Sequence, residues 1–222
     1  MLTKYLEIQN YWSNNPCAGG NSKFPFKLFK DAKVLEIGCG MGVDAGRFVS
    51  NGAIYTGIDL TQKAVEETQV KIGNMGTVKV MNAEFIDFPD SHFDLVYSWG
   101  AIHHAITPKN IINEMYRVLK PNGFVCVMLY GKPSWRYFEI MVLRKILWHL
   151  HYYRYRTLRS LTPKPTKEQW ISWNTDNLGC PMARVYTKQQ ALNLCNRFKI
   201  FKTWTERLGW FRILAGRKLP TT

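Results

Sequence analysis

From about Lys33 onward, short apolar runs alternate with segments whose apolar residues recur at helical spacing, the pattern of a parallel α/β sheet. Val34-Leu35-Glu36-Ile37 is the first run, interrupted only by Glu36, and it ends in the glycine turn Gly38-Cys39-Gly40-Met41-Gly42. Ala45, Phe48 and Val49 predict a helix that stops at Asn51-Gly52. Ala53 to Ile58 reads as a second strand ending at Asp59, and Thr61 as the cap of a helix that buries Ala64, Val65 and Ile72. Val78 to Met81 and Phe93 to Tyr97 form a third and a fourth strand. Thr107-Pro108 joins a capping hydroxyl to proline at the first helical position, and Ile111, Ile112, Met115, Val118 and Leu119 follow at helical spacing. Lys120-Pro121-Asn122-Gly123 ends that helix. Phe124 to Leu129 is apolar throughout, as a central parallel strand covered on both faces should be. In the final quarter, Thr187 with Gln190 predicts a capping box opening a helix through Cys195. Phe198 to Thr205 and Trp210 to Leu214 then read as a hairpin, which leaves one strand antiparallel.

A chain of 222 residues, 46% apolar and 14% aromatic, can bury one substantial core, so a single domain is expected. The opening MLTKYLEIQNYW lacks an apolar run followed by small residues, and no uncharged stretch approaches the roughly 18–20 residues of a membrane span. A cytoplasmic protein is expected. The five cysteines, Cys17, Cys39, Cys126, Cys180 and Cys195, are scattered without metal-ligand spacing; they read as reduced thiols near the core, and no metal is expected. Charge changes the picture: 30 Lys+Arg against 16 Asp+Glu give +14, a field that favours anionic partners without choosing among them.

The chemistry concentrates at the first turn. An adenosine-bearing cofactor needs close backbone approach, which glycine permits, a helix N-terminus, and a carboxylate one strand away to accept the ribose hydroxyls. Gly38, Gly40 and Gly42 supply the first, and Asp59 stands in the last position. Gly40 to Ala45 formally matches the dinucleotide pattern, but from Gly38, which follows the strand directly, the pattern fails because Val43 replaces the third glycine. Glu36 also sits badly for a pyrophosphate and suits a ligand carrying an ammonium group and a sulfonium.

The run from Val34 to Gly42 resembles the first motif of the class I S-adenosylmethionine-dependent methyltransferases. The likeness continues through Asp59, Asn82-Ala83-Glu84, Phe93 to Val96, Ile102-His103-His104 and Arg117 to Gly123. Tyr11 to Cys17, Met128-Leu129-Tyr130 and Pro181 to Thr187 resemble a bacterial subgroup that acts on small molecules. The resemblance implies a doubly wound, Rossmann-like α/β sheet of seven strands, mostly parallel with one antiparallel. It implies S-adenosyl-L-methionine as cofactor, with Glu36, Gly38, Cys39 and Gly40 along its methionine part, and Asp59 and Leu60 at the ribose. Asn82 and Ala83 would face the adenine edge, where relatives commonly carry Asp, and Ser98 and Trp99 the amino acid end. His103 and His104 are candidate bases for an acceptor hydroxyl or amine, and Tyr130 a candidate acceptor contact. A histidine in this position can equally pack beneath the cofactor.

The expected organisation is an N-terminal helical cap over 1–30, a cofactor-binding core over 31–130, a lid and acceptor insertion over 131–186, and a C-terminal helix and hairpin over 187–222. Within the insertion, Ile140, Leu143, Leu147 and Leu150 share a helical face, yet Met141, Val142, Ile146 and Trp148 spread apolar character around it. Arg144, Lys145, Arg154, Arg156 and Arg159 interrupt the segment. Residues 133–160 therefore read as a helical lid, as a helix lying on an anionic membrane surface, or as an RNA-binding face. The expected activity is methyl transfer to a small-molecule acceptor at oxygen or nitrogen, the acceptor being a natural product or a lipid-linked or glycan precursor. An RNA methyltransferase, a nicotinamide-dependent oxidoreductase and a catalytically silent nucleoside-binding module are the alternatives.

Overall fold

In the computed structural model, residues 8–10, 14, 20–21, 23–132, 135–149, 164–176, 180–205 and 210–217 are described. Strands β1 (Lys33–Ile37), β2 (Ile54–Asp59), β3 (Gly76–Val80), β4 (Phe93–Trp99), β5 (Leu119–Tyr130), β6 (Phe198–Thr205) and β7 (Trp210–Arg217) form one seven-stranded sheet. Its order is β3-β2-β1-β4-β5-β7-β6, and β7 alone runs antiparallel to its neighbours. Helices α1 (Val43–Ser50), α2 (Gln62–Ile72) and α3 (Pro108–Val118) are the crossovers. Because strand side chains alternate, β1 serves two cores at once. Val34 joins Leu95, Tyr97, Phe48 and Ile72 on one face, while Leu35 and Ile37 join Val96, Ile112, Met115 and Val118 on the other.

Several boundaries depart from the periodicity for local reasons. β3 starts at Gly76 rather than Val78, because its ladder to β2 begins at the Tyr55–Gly76 pair, where a Cβ on Gly76 would stand 3.0 Å from the Tyr55 ring. Lys120 to Gly123 lies within β5 instead of ending the helix: pairing jumps from Phe93–Leu119 to Leu95–Phe124, so these residues bulge out, with Asn122 left-handed at φ 51°. Thr61 caps α2 through its hydroxyl, which accepts from Ala64 N–H at 3.3 Å. Thr107 does not cap α3 with its side chain; its own N–H is engaged by the Glu84 carboxylate at 2.8 Å.

Within the insertion, a continuous helical rod, α4, consists of Trp135–Phe138, a π-helical turn Glu139–Leu143 and Arg144–His149. The π-turn adds a residue per turn and splits the expected apolar face: Ile140 is buried, whereas Leu143 is 43% exposed. The Leu147 and Trp148 side chains, and Leu150, Arg154, Arg156 and Arg159, lie outside the described residues, as do Tyr11, Trp12 and Cys17. Helix α5 (Lys167–Thr175) packs Trp170 and Trp173 on Ile140, and the Trp170 indole donates to the Ile140 carbonyl at 2.7 Å. The chain then returns beside the end of β5, where Tyr186 N–H donates to Tyr130 O and Lys132 N–H to Tyr186 O, each at 2.8 Å. The capping box predicted at Thr187 and Gln190 opens α6 (Lys188–Leu194).

Candidate active site

The strand order reverses between β1 and β4, and crossovers leave these neighbours in opposite directions. A crevice must therefore open at their carboxyl ends. It does. An open cleft lies there, lined by Gly38 and Gly40 after β1, Asp59 and Leu60 at the end of β2, Met81 to Glu84 after β3, and Trp99 to Ala101 at the end of β4. Ile8 and His104 to Ile106 complete its walls.

The floor is bare backbone. Gly38 has φ +77°, and a Cβ there would collide with the Ala101 Cβ. The turn is pinned across the strands: Gly38 N–H donates to Ile58 O at 2.8 Å, and Gly40 N–H to Asp59 Oδ2 at 3.1 Å. Gly42 sits at the N-cap of α1 with φ +68°, close enough to Thr68 that a Cβ would meet its backbone at 3.0 Å.

Acidic groups line this backbone. Glu36 is buried and accepts the Tyr55 hydroxyl at 2.7 Å. Burial, with Asp44 and Asp59 nearby, pushes its carboxyl well above the ordinary range. Asp59 Oδ1 accepts the Thr61 N–H and hydroxyl at 3.0 and 3.1 Å; burial raises this carboxyl too, against those hydrogen bonds and the one from Gly40. Asp44 is clamped by Tyr97 Oη at 2.6 Å, by Asn21 N–H and by the Arg47 guanidinium at 2.6 Å. With Glu84, four carboxylates line the cleft, while no lysine or arginine among the described residues does, in a chain of net charge +14. Such a site attracts a cationic ligand and repels a pyrophosphate.

Of the residues expected from sequence, Glu36, Gly38, Cys39, Gly40, Asp59, Leu60, Asn82, Ala83, Trp99 and His104 meet at this cleft. Ser98, His103 and Tyr130 do not line it. Ser98 is fully buried and donates to the Ile37 carbonyl at 3.1 Å, tying β4 to β1 from below, because alternation along β4 turns it away from the crevice. His103 is wholly buried, its ring 3.8 Å from the Tyr130 ring between centroids, with the Met128 backbone as its polar neighbour. Burial, and His104 beside it, hold its pKa well below the usual value. Tyr130 stands behind the wall and donates to Asp176 Oδ1 at 2.7 Å. His104 Nδ1 lies 2.8 Å from Met182 O, and Nε2 is 3.6 Å from Asp176 Oδ1.

Asp44, Thr61, Met81, Ala101 and Ile106 also line the cleft and escaped the sequence reading. An acid in the first turn of the helix after the glycine bend, where the helix dipole favours it, was the available sign for Asp44. Asp176 had none, since a lone acid at the end of a short helix carries no pattern.

Residues 35–127 match the family model described as a methyltransferase domain. Among curated proteins, the sterol 24-C-methyltransferase of Neurospora crassa is 36% identical over 100 residues, covering 42% of this chain and 26% of that protein. An uncharacterised methyltransferase of Synechocystis is 33% identical over 115 residues, covering 50% of this chain and 53% of that protein. The chain thus spans between about a quarter and just over half the length of the curated relatives it matches first. Among solved structures, a SAM-dependent methyltransferase of Methanosarcina mazei superposes with a TM-score of 0.62 at 23% identity, covering 88% of this chain and 98% of that one. The magnesium protoporphyrin IX methyltransferase of Synechocystis, solved with bound SAH, gives 0.59 at 18% identity, covering 86% and 76%. The family match covers the first five strands of the sheet, and the single antiparallel strand beyond them agrees with the fold of these solved methyltransferases.

Proposed function

We propose that this chain binds S-adenosylmethionine in the acid-lined cleft and transfers its methyl group to an oxygen or nitrogen of a small-molecule acceptor. The observation that carries the reading is the segregation of charge: four carboxylates and no described lysine or arginine around a bare glycine turn, in a strongly basic protein. When bound, S-adenosylmethionine supplies an already activated methyl on a cationic sulfur. Glu36 and Asp44 oppose the positive charge of that ligand, and Asp59, held by Gly40 and Thr61, accepts the ribose diol. Asn82 keeps its Oδ1 on the Glu84 N–H at 2.9 Å, which leaves its amide nitrogen to meet an adenine edge, with Ala83 beside it. Gly38, Cys39 and Leu60 shape the walls, and Trp99, covered by the Arg212 guanidinium at 4.2 Å, closes the amino acid end.

What the protein adds is alignment of the acceptor and exclusion of water, worth roughly 7–11 kcal/mol in favourable cases. His104 brings a polar ring to the acceptor side, with Tyr130 behind it, while His103 serves as packing. The insertion around α4 and α5 acts as the lid, since its return segment holds His104 through Met182 O and the His103 carbonyl through Arg184 N–H. Two similar proteins, a sterol 24-C-methyltransferase and a magnesium protoporphyrin IX methyltransferase, support a small and largely apolar acceptor.

Calorimetry with S-adenosylhomocysteine tests the cofactor site: binding by the wild type and its loss in Asp59→Ala are expected, and equal or absent binding in both overturns the reading. A labelled-methyl assay on host extracts, divided into small-molecule, lipid and RNA fractions, tests the acceptor; label confined to RNA overturns the small-molecule class.

Four side chains of α4 favour a second element, contact with an anionic membrane surface. Phe138, Val142, Leu143 and Ile146 are 40–51% exposed, and Lys145 lies among them. Sedimentation with phosphatidylglycerol vesicles, but not phosphatidylcholine vesicles, is expected and should fall in Val142→Glu/Ile146→Glu. Equal sedimentation by that variant removes this element.

A further inference from the structure

Three groups that the cofactor reading leaves unused converge behind the acceptor wall. His104 follows β4, Asp176 ends α5, and Cys180 opens the segment that returns to β5. Their ligating atoms all lie within 4.8 Å of one another, and the Nε2–Oδ1 separation is 3.6 Å. We propose that His104, Asp176 and Cys180 form a binding site for a divalent transition metal of the zinc type, with an open coordination position toward the cleft.

The donor set of one imidazole, one carboxylate and one thiolate is that of a borderline-soft cation; calcium and magnesium would require oxygens. At tetrahedral zinc, with bonds near 2.0–2.3 Å, such ligands stand about 3.3–3.6 Å apart, so the nitrogen–oxygen pair is already placed and the sulfur, within 4.8 Å of both, has at most roughly 1.5 Å to close. The surroundings supply what such ligands need. His104 Nδ1–H donates to Met182 O at 2.8 Å, which fixes the tautomer and turns the Nε2 lone pair inward. Tyr130 O–H donates to Asp176 Oδ1 at 2.7 Å, and Thr175 O–H to Oδ2 at 2.9 Å, which orients the carboxylate. Cys180 is fully buried, and its carbonyl is held by the Ser172 hydroxyl at 2.6 Å. On binding, the thiol releases its proton to solvent, and a neutral imidazole, a carboxylate and a thiolate then balance the divalent charge. Three protein ligands with a fourth position open is the layout of reactive rather than structural zinc. Of the three ligands, His104 lines the cleft, which sets the site in the cleft wall.

Metal binding is measured without any methyl transfer. Reduced full-length protein is dialysed against zinc and its metal content determined, and cobalt(II) is added in parallel. One zinc per chain is expected, with a tetrahedral cobalt spectrum carrying a thiolate charge-transfer band. Cys180→Ser should lose that band and bind zinc at least about 100-fold more weakly, and Tyr130→Phe should weaken binding by about 10–100-fold, as loss of a partner to a ligand does. S-adenosylhomocysteine binding by Cys180→Ser serves as the folding control. Equal zinc affinity in the wild type and both variants, an octahedral cobalt spectrum, or no zinc retained by the wild type overturns the site. Zinc binding without S-adenosylhomocysteine binding would instead sink the cofactor reading and leave the metal standing.

Discussion

Gly38 shows how much one missing methyl group matters. A side chain there would have to adopt φ +77° and would drive into Ala101, on the opposite lip of the cleft. Gly38→Ala should cost at least about 1–3 kcal/mol, seen as a lower urea midpoint, and should abolish S-adenosylhomocysteine binding. Glu36 makes a pH-dependent prediction. Its folded carboxyl binds a proton more tightly than in the unfolded chain, so the fold loses stability as pH rises above the ordinary carboxylate range. Glu36→Gln keeps an acceptor for Tyr55 and has no proton to lose. It should match the wild type near pH 4 and exceed it in denaturation midpoint at neutral pH, while binding the cofactor less well. At this scale the meeting of the glycine bend and Asp59 at one cleft was legible in the sequence, because one β/α unit separates them and their spacing is local. It told little about Asp176, which reaches His104 across 72 positions only after the insertion has folded back. The expectation of no metal rested on that same local spacing.

Elements obey the same division. Helix α6 has seven residues, too short to hold itself, and depends on the reciprocal bonds between Thr187 and Gln190, at 3.2 and 2.9 Å. Thr187→Ala should cost about 1 kcal/mol, measured by urea denaturation, and leave cofactor affinity unchanged. This box was legible because it is written in four consecutive residues. The π-turn of α4 was not: one extra residue in a turn is set by how Ile140 docks under Trp170, a tertiary contact that helical periodicity does not contain. The excursion at Lys120 to Gly123 is similar, since the turn residues were evident but the resumption of pairing on both sides of them was not.

The whole molecule carries its charge in two compartments, a basic exterior and an acidic cleft. Salt should therefore act oppositely on two ligands. Raising ionic strength screens the +14 field that opposes a cationic ligand, so affinity for S-adenosylmethionine should hold or strengthen, while adsorption to anionic vesicles should fall. Calorimetry and sedimentation across a salt series would check both, and parallel weakening would contradict the partition. The architecture itself was the most legible level, because β/α alternation and a final hairpin admit few sheets.

The antiparallel strand has one more consequence. Arg212 of β7 lies over Trp99 and reaches the Asn21 side chain at 3.4 Å, while the Asn21 N–H bonds to Asp44. Early and late segments thus meet behind the cleft wall that Asp44 and Trp99 form. A nascent chain can lay down its glycine bend and Asp59 long before it can brace them. Ribosome-arrested chains halted before Trp210 clears the exit tunnel should therefore fail to retain nucleoside, and retention should appear as β7 emerges.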